Sequence, residues 1–289
     1  MKSALVLIHL FLFAASHAQS LHTIRLKNEK RLHAFFRYTK NHKPVISGHR
    51  GCTAVGYPEN SIEAMEYVLR HTPAFFEIDP RLTRDSVIVL MHDATLDRTT
   101  TGSGKLSDYT WEEVKQLRLK DHLGNVTSYR IPTLAEAIEW ARGKTILNLD
   151  IKDVPLQGMA DMIRKHKAGA FVMVTVHNST QAKFYYDDDS NRMLSAHIKT
   201  EKAFREYGAS GVPWKNMIAY IGSVNKPENQ SLFNLLHQRK VMCMISAAPV
   251  YDKLGTIEKR AAAYRDILAQ GADILESDLP VEVAAALKK

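Results

Sequence analysis

The chain reads as an α/β protein, a (β/α)8 TIM-type barrel with an additional antiparallel hairpin at the rim where the sites of such barrels form. Three observations predict this. Short, largely apolar runs alternate with amphipathic helical stretches along the chain, the pattern of a parallel sheet covered by helices. Nine such runs can be found, one more than a closed barrel takes. Only seven residues, Pro80–Ser86, separate the second run from the third, whereas a parallel crossover needs a dozen or more, so those two runs must pair antiparallel.

Taken in order, Asn28–Lys40 reads as a basic amphipathic helix around Leu32, Phe35 and Phe36. Strands are expected at Val45–Gly48, Ala74–Asp79, Val87–Met91, Thr145–Ile151, Ala170–Val176, Met193–Ile198, Met217–Ile221, Val241–Ser246 and Asp273–Leu275. Helices are expected at Ser61–Arg70, Thr110–Leu117, Thr133–Ala141, Leu156–Lys165, Thr200–Tyr207, Ser231–Gln238 and Ile257–Ala269. Their starts are signalled by capping residues: Asn60 or Ser61 before Glu63, Thr110 before Glu113, and Thr133 before Glu136. The second strand should rise past the rim, turn around Asp85 and return, which places Met91 opposite Asp79 and His92 beside the carboxylates of Glu77 and Asp79. No Gly/Pro/Ser-rich linker or repeat divides residues 45–289, which read as one barrel domain preceded by an extension, 19–44, packing on it.

Residues 1–18 read as a signal peptide: Lys2, an apolar run from Ala4 to Ala15, and Ser16-His17-Ala18 as the cleavage pattern. The run is too short to span a bilayer comfortably, and the expected location is periplasmic or extracellular. A composition of 45% hydrophobic and 24% charged residues argues for a folded domain against disorder. The net charge of +8 can steer anionic substrates, but the positive residues are scattered without interleaved aromatics, which excludes a nucleic-acid stripe. Cys52 and Cys243 lie far apart in sequence. An oxidising compartment permits their pairing, while the apolar run around Cys243 suits a buried small hydrophobe.

Glu77 and Asp79 are two apart on a strand and face the same side, with Phe76 and Ile78 opposite. Two carboxylates on one face repel unless a cation lies between them, and a hard divalent ion with oxygen ligands answers that need; a solvent-facing edge strand or a salt-bridged pair is the plainer alternative. Asp150 supplies a third carboxylate, sharing a face with Asn148 and Lys152 inside an otherwise apolar strand. Polar groups there are costly unless used. His49 follows the first strand and His92 ends the third, supplying one candidate acid and one candidate base. Arg50 and Lys152 suit the non-bridging oxygens of a phosphate. Glu59, His177 and Glu276 are secondary candidates for the substrate pocket, Asn60 could orient a ligand or cap a helix, Thr99–Gly104 suits a flexible cover, and Asp187–Asp189 suits a solvated turn.

These residues assembled, the sequence resembles the glycerophosphodiester phosphodiesterase family. The likeness runs through Ile46–Gly51, Tyr57–Ser61, Phe76–Thr83, Val89–Asp93, Leu96–Thr100, Ile131–Leu134, Leu149–Lys152 and Gly271–Pro280. It implies a barrel enzyme that hydrolyses glycerophosphodiesters to glycerol 3-phosphate and an alcohol, with His49 and His92 as the acid/base pair. It further implies one divalent cation, magnesium or calcium, on Glu77, Asp79 and Asp150, and phosphate contacts from Arg50 and Lys152. Three departures stand out. The third carboxylate is usually glutamate, so Asp150, one methylene shorter, predicts a shifted or looser metal site. The late strand carries Met242–Ala248 where the family has a Trp-Thr-Val-Asn-like segment, and the fifth strand ends in Thr175-Val176-His177 rather than Ser-Phe.

The partner expected is a small glycerophosphodiester, with no nucleic acid and no obligate protein partner; peripheral membrane contact stays open. Two other readings share these residues. A phospholipase-like relative would cleave an intact lipid phosphodiester and need an apolar patch at the barrel mouth, and a non-catalytic binding protein would keep the phosphate site without turnover.

Overall fold

The computed structural model describes residues 20–288; the segment 1–18 read as a signal peptide lies outside the described residues. Among the described residues there are ten strands: β1 (Val45–His49), β2 (Phe75–Ile78), β3 (Pro80–Leu82), β4 (Ile88–Leu90), β5 (Leu147–Leu149), β6 (Val172–Val176), β7 (Met193–His197), β8 (Met217–Gly222), β9 (Cys243–Ser246) and β10 (Ile274–Ser277). Eight of them close into a parallel barrel in the order β1-β10-β9-β8-β7-β6-β5-β2. The remaining two form the hairpin, with Pro80 opposite Leu90, Arg81 opposite Val89 and Leu82 opposite Ile88. That register centres the turn on Asp85, and the Met91 N–H donates to the Asp79 carbonyl, which sets Met91 opposite Asp79 as expected.

Period-two alternation sorts each barrel strand into an inner and an outer face. Phe76, Ile78, Leu147, Leu149, Val172, Val174, Leu194, Ala219, Ile245 and Leu275 belong to the large apolar cluster shared with the surrounding helices. The opposite faces carry Phe75, Ile146, Met173, Met193, Ile218, Met244 and Ile274, which form a separate cluster at the start of the strands. Two residues further along the same faces come Ser47, Glu77, Asn148, Thr175, Ser195, Ser246 and Glu276, all buried. The interior therefore changes from an apolar floor to a polar layer to charged groups at the C-terminal rim, the end at which barrel sites are built.

The helices are α1 (Glu29–Phe35), α2 (Ile62–His71), α3 (Trp111–Val114), α4 (Leu134–Ala141), α5 (Leu156–Lys165), α6 (Ser179–Asp188), α7 (Glu201–Ala209), α8 (Asn229–Gln238), α9 (Ile257–Ala269) and α10 (Pro280–Leu287). Helix α1 starts where the Asn28 side chain accepts from Arg31 N–H, and it sends Leu32 and Phe36 into the apolar floor, Phe36 meeting Phe75 edge-on. It is shorter than the expected Asn28–Lys40. Arg37 pairs with Val241 and the Tyr38 N–H donates to Lys240, so the backbone there is committed to the barrel rather than to the helix.

Helix α3 is one capped turn, not Thr110–Leu117, because the next bonds are i to i+3. The Asp187–Asp189 turn is corrected: Asp187 and Asp188 end α6 and Asp189 follows as its C-cap. Asp188 pairs with Arg164, and Asp189 lies 3.3 Å from the buried Arg192, which offsets acidic groups placed against the helix dipole. Among the described residues no helix is long and apolar enough to cross a membrane.

Candidate active site

Immediately after β1 the backbone enters the left-handed region at Arg50 (φ 53°) and Gly51 (φ 92°), a conformation expensive for a residue with a side chain. It is held because the Arg50 N–H donates to the Glu77 carbonyl at 2.9 Å and faces Glu77 Oε2 at 3.3 Å. Gly48 has no room for a side chain, since a Cβ would meet the Gly51 carbonyl oxygen and come within 2.7 Å of Phe76. The sharp turn aims His49 at the barrel axis and swings Arg50 back over β2, where its Nε stands 3.4 Å from Asp79 Oδ2.

Glu77, Asp79 and Asp150 converge. Each offers a carboxylate oxygen, and these lie within 4.8 Å of one another, so the shorter Asp150 still reaches the cluster. Asp79 is fully buried and locked by Asn60, whose amide donates to Oδ2 at 2.6 Å while Asp79 N–H donates to Asn60 Oδ1 at 3.0 Å. Asn60 thus serves Asp79, and the cap of α2 is Ser61. Lys152 Nζ lies 2.8 Å from Asp79 and 2.7 Å from Asp150. Burial, then the charges of Asp79, Glu276 and Asp150, push the Glu77 carboxyl well above its usual range. For Asp150 burial also pushes upward, but the His177 hydrogen bond and the Lys152 charge outweigh it and leave the carboxyl well below normal. An all-oxygen donor set with one carboxylate pushed toward protonation by its neighbours fits a hard divalent cation.

Each rim histidine has its Nδ1 tied to a carboxylate. His49 Nδ1–H donates to Asp278 Oδ1 at 2.7 Å, and its Nε2 points toward Glu77, 4.0 Å away. Burial disfavours the charged imidazole, yet the Asp278 bond and the charges of Glu276 and Asp278 prevail and raise its pKa. Asp278 is itself set by Asp252, which accepts from the Asp278 N–H at 2.7 Å, from Ser277 at 2.9 Å and from Tyr264 at 2.6 Å. His92 Nδ1–H donates to Asp93 Oδ1 at 2.8 Å, and Arg81 holds the His92 carbonyl at 2.7 Å. Arg98 clamps Asp93 and also donates twice to Glu59 at 2.8 Å.

Glu59 lines the cavity beside His49 and also links Arg98 to Arg50, whose Nη1 donates to it at 3.3 Å. His177 stands 3.4 Å from Asp150 and 3.1 Å from His197. Glu276 lies in the polar layer, 6% exposed, with its carboxyl raised chiefly by burial. Sequence reasoning alone does not single out Asp278, Asp93, Asp252 or His197 as site residues. Asp93 adjoins His92 and Asp278 directly follows the last strand, so both were visible, but their hydrogen bonds depend on the fold. A cavity of about 620 Å³ opens beside His49 and Arg50, walled by Tyr57, Arg98, Lys120 and Asp278 among others. Thr99 also lines it, yet the segment Thr99–Gly104 is tied down rather than loose: Thr100 bonds Leu96, and Thr101 N–H bonds Arg118. Cys52 and Cys243 are separate buried thiols.

The sequence model of the glycerophosphoryl diester phosphodiesterase family matches residues 49–245. A crystal structure of a glycerophosphoryl diester phosphodiesterase from Parabacteroides distasonis is 54% identical, with a TM-score of 0.92 over 93% of this chain and 94% of that one. A glycerophosphodiester phosphodiesterase from Agrobacterium tumefaciens shares the fold at 20% identity and a TM-score of 0.68, over 84% of this chain and 99% of that one. Among curated proteins, glycerophosphodiester phosphodiesterase of Caldanaerobacter subterraneus is 38% identical over 112 residues, 38% of this chain and 46% of its own. Glycerophosphodiester phosphodiesterase 1 of Mus musculus is 40% identical over 112 residues, 36% of this chain and 31% of its own. The chain thus spans less than half the length of these two curated relatives.

Proposed function

Because this chain belongs to the glycerophosphoryl diester phosphodiesterase family, we propose that its rim site hydrolyses a glycerophosphodiester to glycerol 3-phosphate and an alcohol. The observation that carries this reading is the pair of imidazoles, each fixed through Nδ1 by a carboxylate, with His49 beside a three-carboxylate cluster that has Arg50 and Lys152 at its edge. Arg50 and Lys152 bind the non-bridging phosphate oxygens. The free Nε2 of one histidine takes the proton from the attacking oxygen, either a water or a neighbouring glycerol hydroxyl, in which case a water then opens the resulting cyclic phosphodiester to glycerol 3-phosphate. The Nε2 of the other gives a proton to the departing alcohol oxygen as the P–O bond breaks. Glu77, Asp79 and Asp150 would hold a divalent cation, magnesium or calcium, which would supply positive charge to the phosphoryl oxygens.

The test is alcohol release from a panel of glycerophosphodiesters in calcium, in magnesium and in EDTA. Turnover that needs metal and falls at least about a hundredfold in His49→Ala is expected. A folded, metal-binding protein with no turnover on any member would overturn the assignment.

One observation favours contact with lipid. Val55 and Leu123, 63% and 64% exposed, sit on two loops at the cavity joined by the Gly56 N–H to Asp121 bond, and Val126 follows at 59%. Lys120 and Lys253 line the same cavity, so its mouth combines apolar and basic groups suited to an anionic bilayer surface. Co-sedimentation with phosphatidylglycerol vesicles that is lost in Val55→Ser/Leu123→Ser is the expected result; equal sedimentation of the variant would remove the idea. Residues 1–18 act as a cleaved export signal, so that sequencing the protein from its producing cell should find Gln19 first.

A further inference from the structure

The opposite end of the barrel carries a second cluster of ligating side chains, remote from the rim along the strands. Asp273 immediately precedes β10 and Cys243 opens β9, so both lie at the N-terminal ends, with His237 in the last turn of α8. One donor atom from each of His237, Cys243 and Asp273 lies within 4.8 Å of the others. Asp273 is 2% exposed and Cys243 fully buried. His237 Nε2 is 2.8 Å from Asp273 Oδ2, and the Cys243 N–H donates to the same oxygen at 2.6 Å.

Two neighbours fix this arrangement from outside. His42, brought in by the N-terminal extension, holds the other carboxylate oxygen, Asp273 Oδ1, at 2.9 Å, and its own Nδ1 bonds the Thr39 carbonyl at 2.7 Å. Tyr38 stacks flat on the His237 ring, 3.7 Å between centroids and 3° between planes. The carboxylate and the ring are thereby oriented by groups that do not belong to the donor set, as the outer partners of metal ligands are.

From this geometry we infer that His237, Cys243 and Asp273 form a zinc-type transition-metal site, with His42 and Tyr38 as its supporting residues. The donor set is one nitrogen, one sulfur and one oxygen, which suits zinc and related borderline ions. Calcium and magnesium select oxygen, so the two ends of the barrel accept different ions. Charge balance supports the assignment. A dication on one thiolate, one carboxylate and one neutral imidazole is neutral overall, the state a buried site tolerates. Binding displaces one proton from the Cys243 thiol to solvent, and the His237 proton shifts from Nε2 to Nδ1, which frees Nε2 as the ligand atom.

The test is titration of the purified, metal-stripped protein with cobalt(II) in saturating calcium, followed by displacement with zinc. About one equivalent should produce a thiolate-to-cobalt charge-transfer band and the visible bands of a four-coordinate ion. The band should persist in Asp79→Asn and in Cys52→Ser, vanish in Cys243→Ser, and need about 10–100-fold more metal in His42→Gln. With only two cysteines in the chain, Cys52→Ser locates the thiolate even if Cys243→Ser does not fold. Absence of the band in the unmodified protein, or its loss in Cys52→Ser, overturns the inference.

Discussion

The two rim imidazoles are tethered alike but to carboxylates in different circumstances. Arg98 satisfies both oxygens of Asp93 and, with the His92 bond, holds that carboxyl well below its usual range. Asp278 has Lys253 at 3.8 Å and the charge of Arg50 besides His49, and its bond and charge keep the His49 ring protonated to higher pH. Asp278→Asn should therefore lower kcat about 10–100-fold, the value of a charged hydrogen bond, and shift the His49 limb of the pH–rate profile downward while leaving KM nearly unchanged. A second histidine titrates in the other direction. Burial, then His177 and Lys199, push His197 down to about 4, so it stays neutral in the folded protein. Its contribution to stability is complete above the unfolded value of roughly 6.5 and is lost as pH falls from there toward about 4. Urea midpoints should fall across that interval and fall less in His197→Phe.

At the scale of elements, α1 tests whether the N-terminal extension is part of the barrel. Phe36 is 1% exposed and seals the apolar floor, so Phe36→Ala should cost about 3–5 kcal/mol by denaturant unfolding. An effect near zero would make α1 a surface appendage. The alternation Phe75-Phe76-Glu77-Ile78-Asp79 was legible because one face of each strand meets helices and the other meets the barrel axis, and the short Pro80–Ser86 spacing allowed only a hairpin. Helix α6 was not legible. Its buried contacts are Ala182 and Tyr185 alone, and its acidic end is stabilised by Arg164 and Arg192 from outside the helix. Helix α10 carries almost no polar face, so its period is faint. The three clustered carboxylates could be read from strand parity; Asp252 could not, since it acts through Ser277 and a backbone N–H.

The barrel as a whole holds Glu77, Asp79, Asp150 and Glu276 together against their mutual repulsion, which Lys152 only partly offsets. Removing one charge should stabilise the metal-free protein, whereas calcium at a hundred times its dissociation constant should stabilise the unmodified protein by about 2.7 kcal/mol. Glu77→Gln should accordingly melt higher than the parent in EDTA and lower than it in excess calcium. The same order in both conditions would show that these carboxylates do not share an ion.

Closure of the barrel pairs Val45 with Ile274 and Gly48 with Ser277, residues from opposite ends of the sequence. The last rung also delivers Asp278 to His49. Contacts so distant in the chain form late, after helices and neighbouring strands have been made. Catalytic competence should therefore trail the return of helical circular dichroism during refolding, and a ribosome would have to release nearly the entire chain before any molecule could turn over.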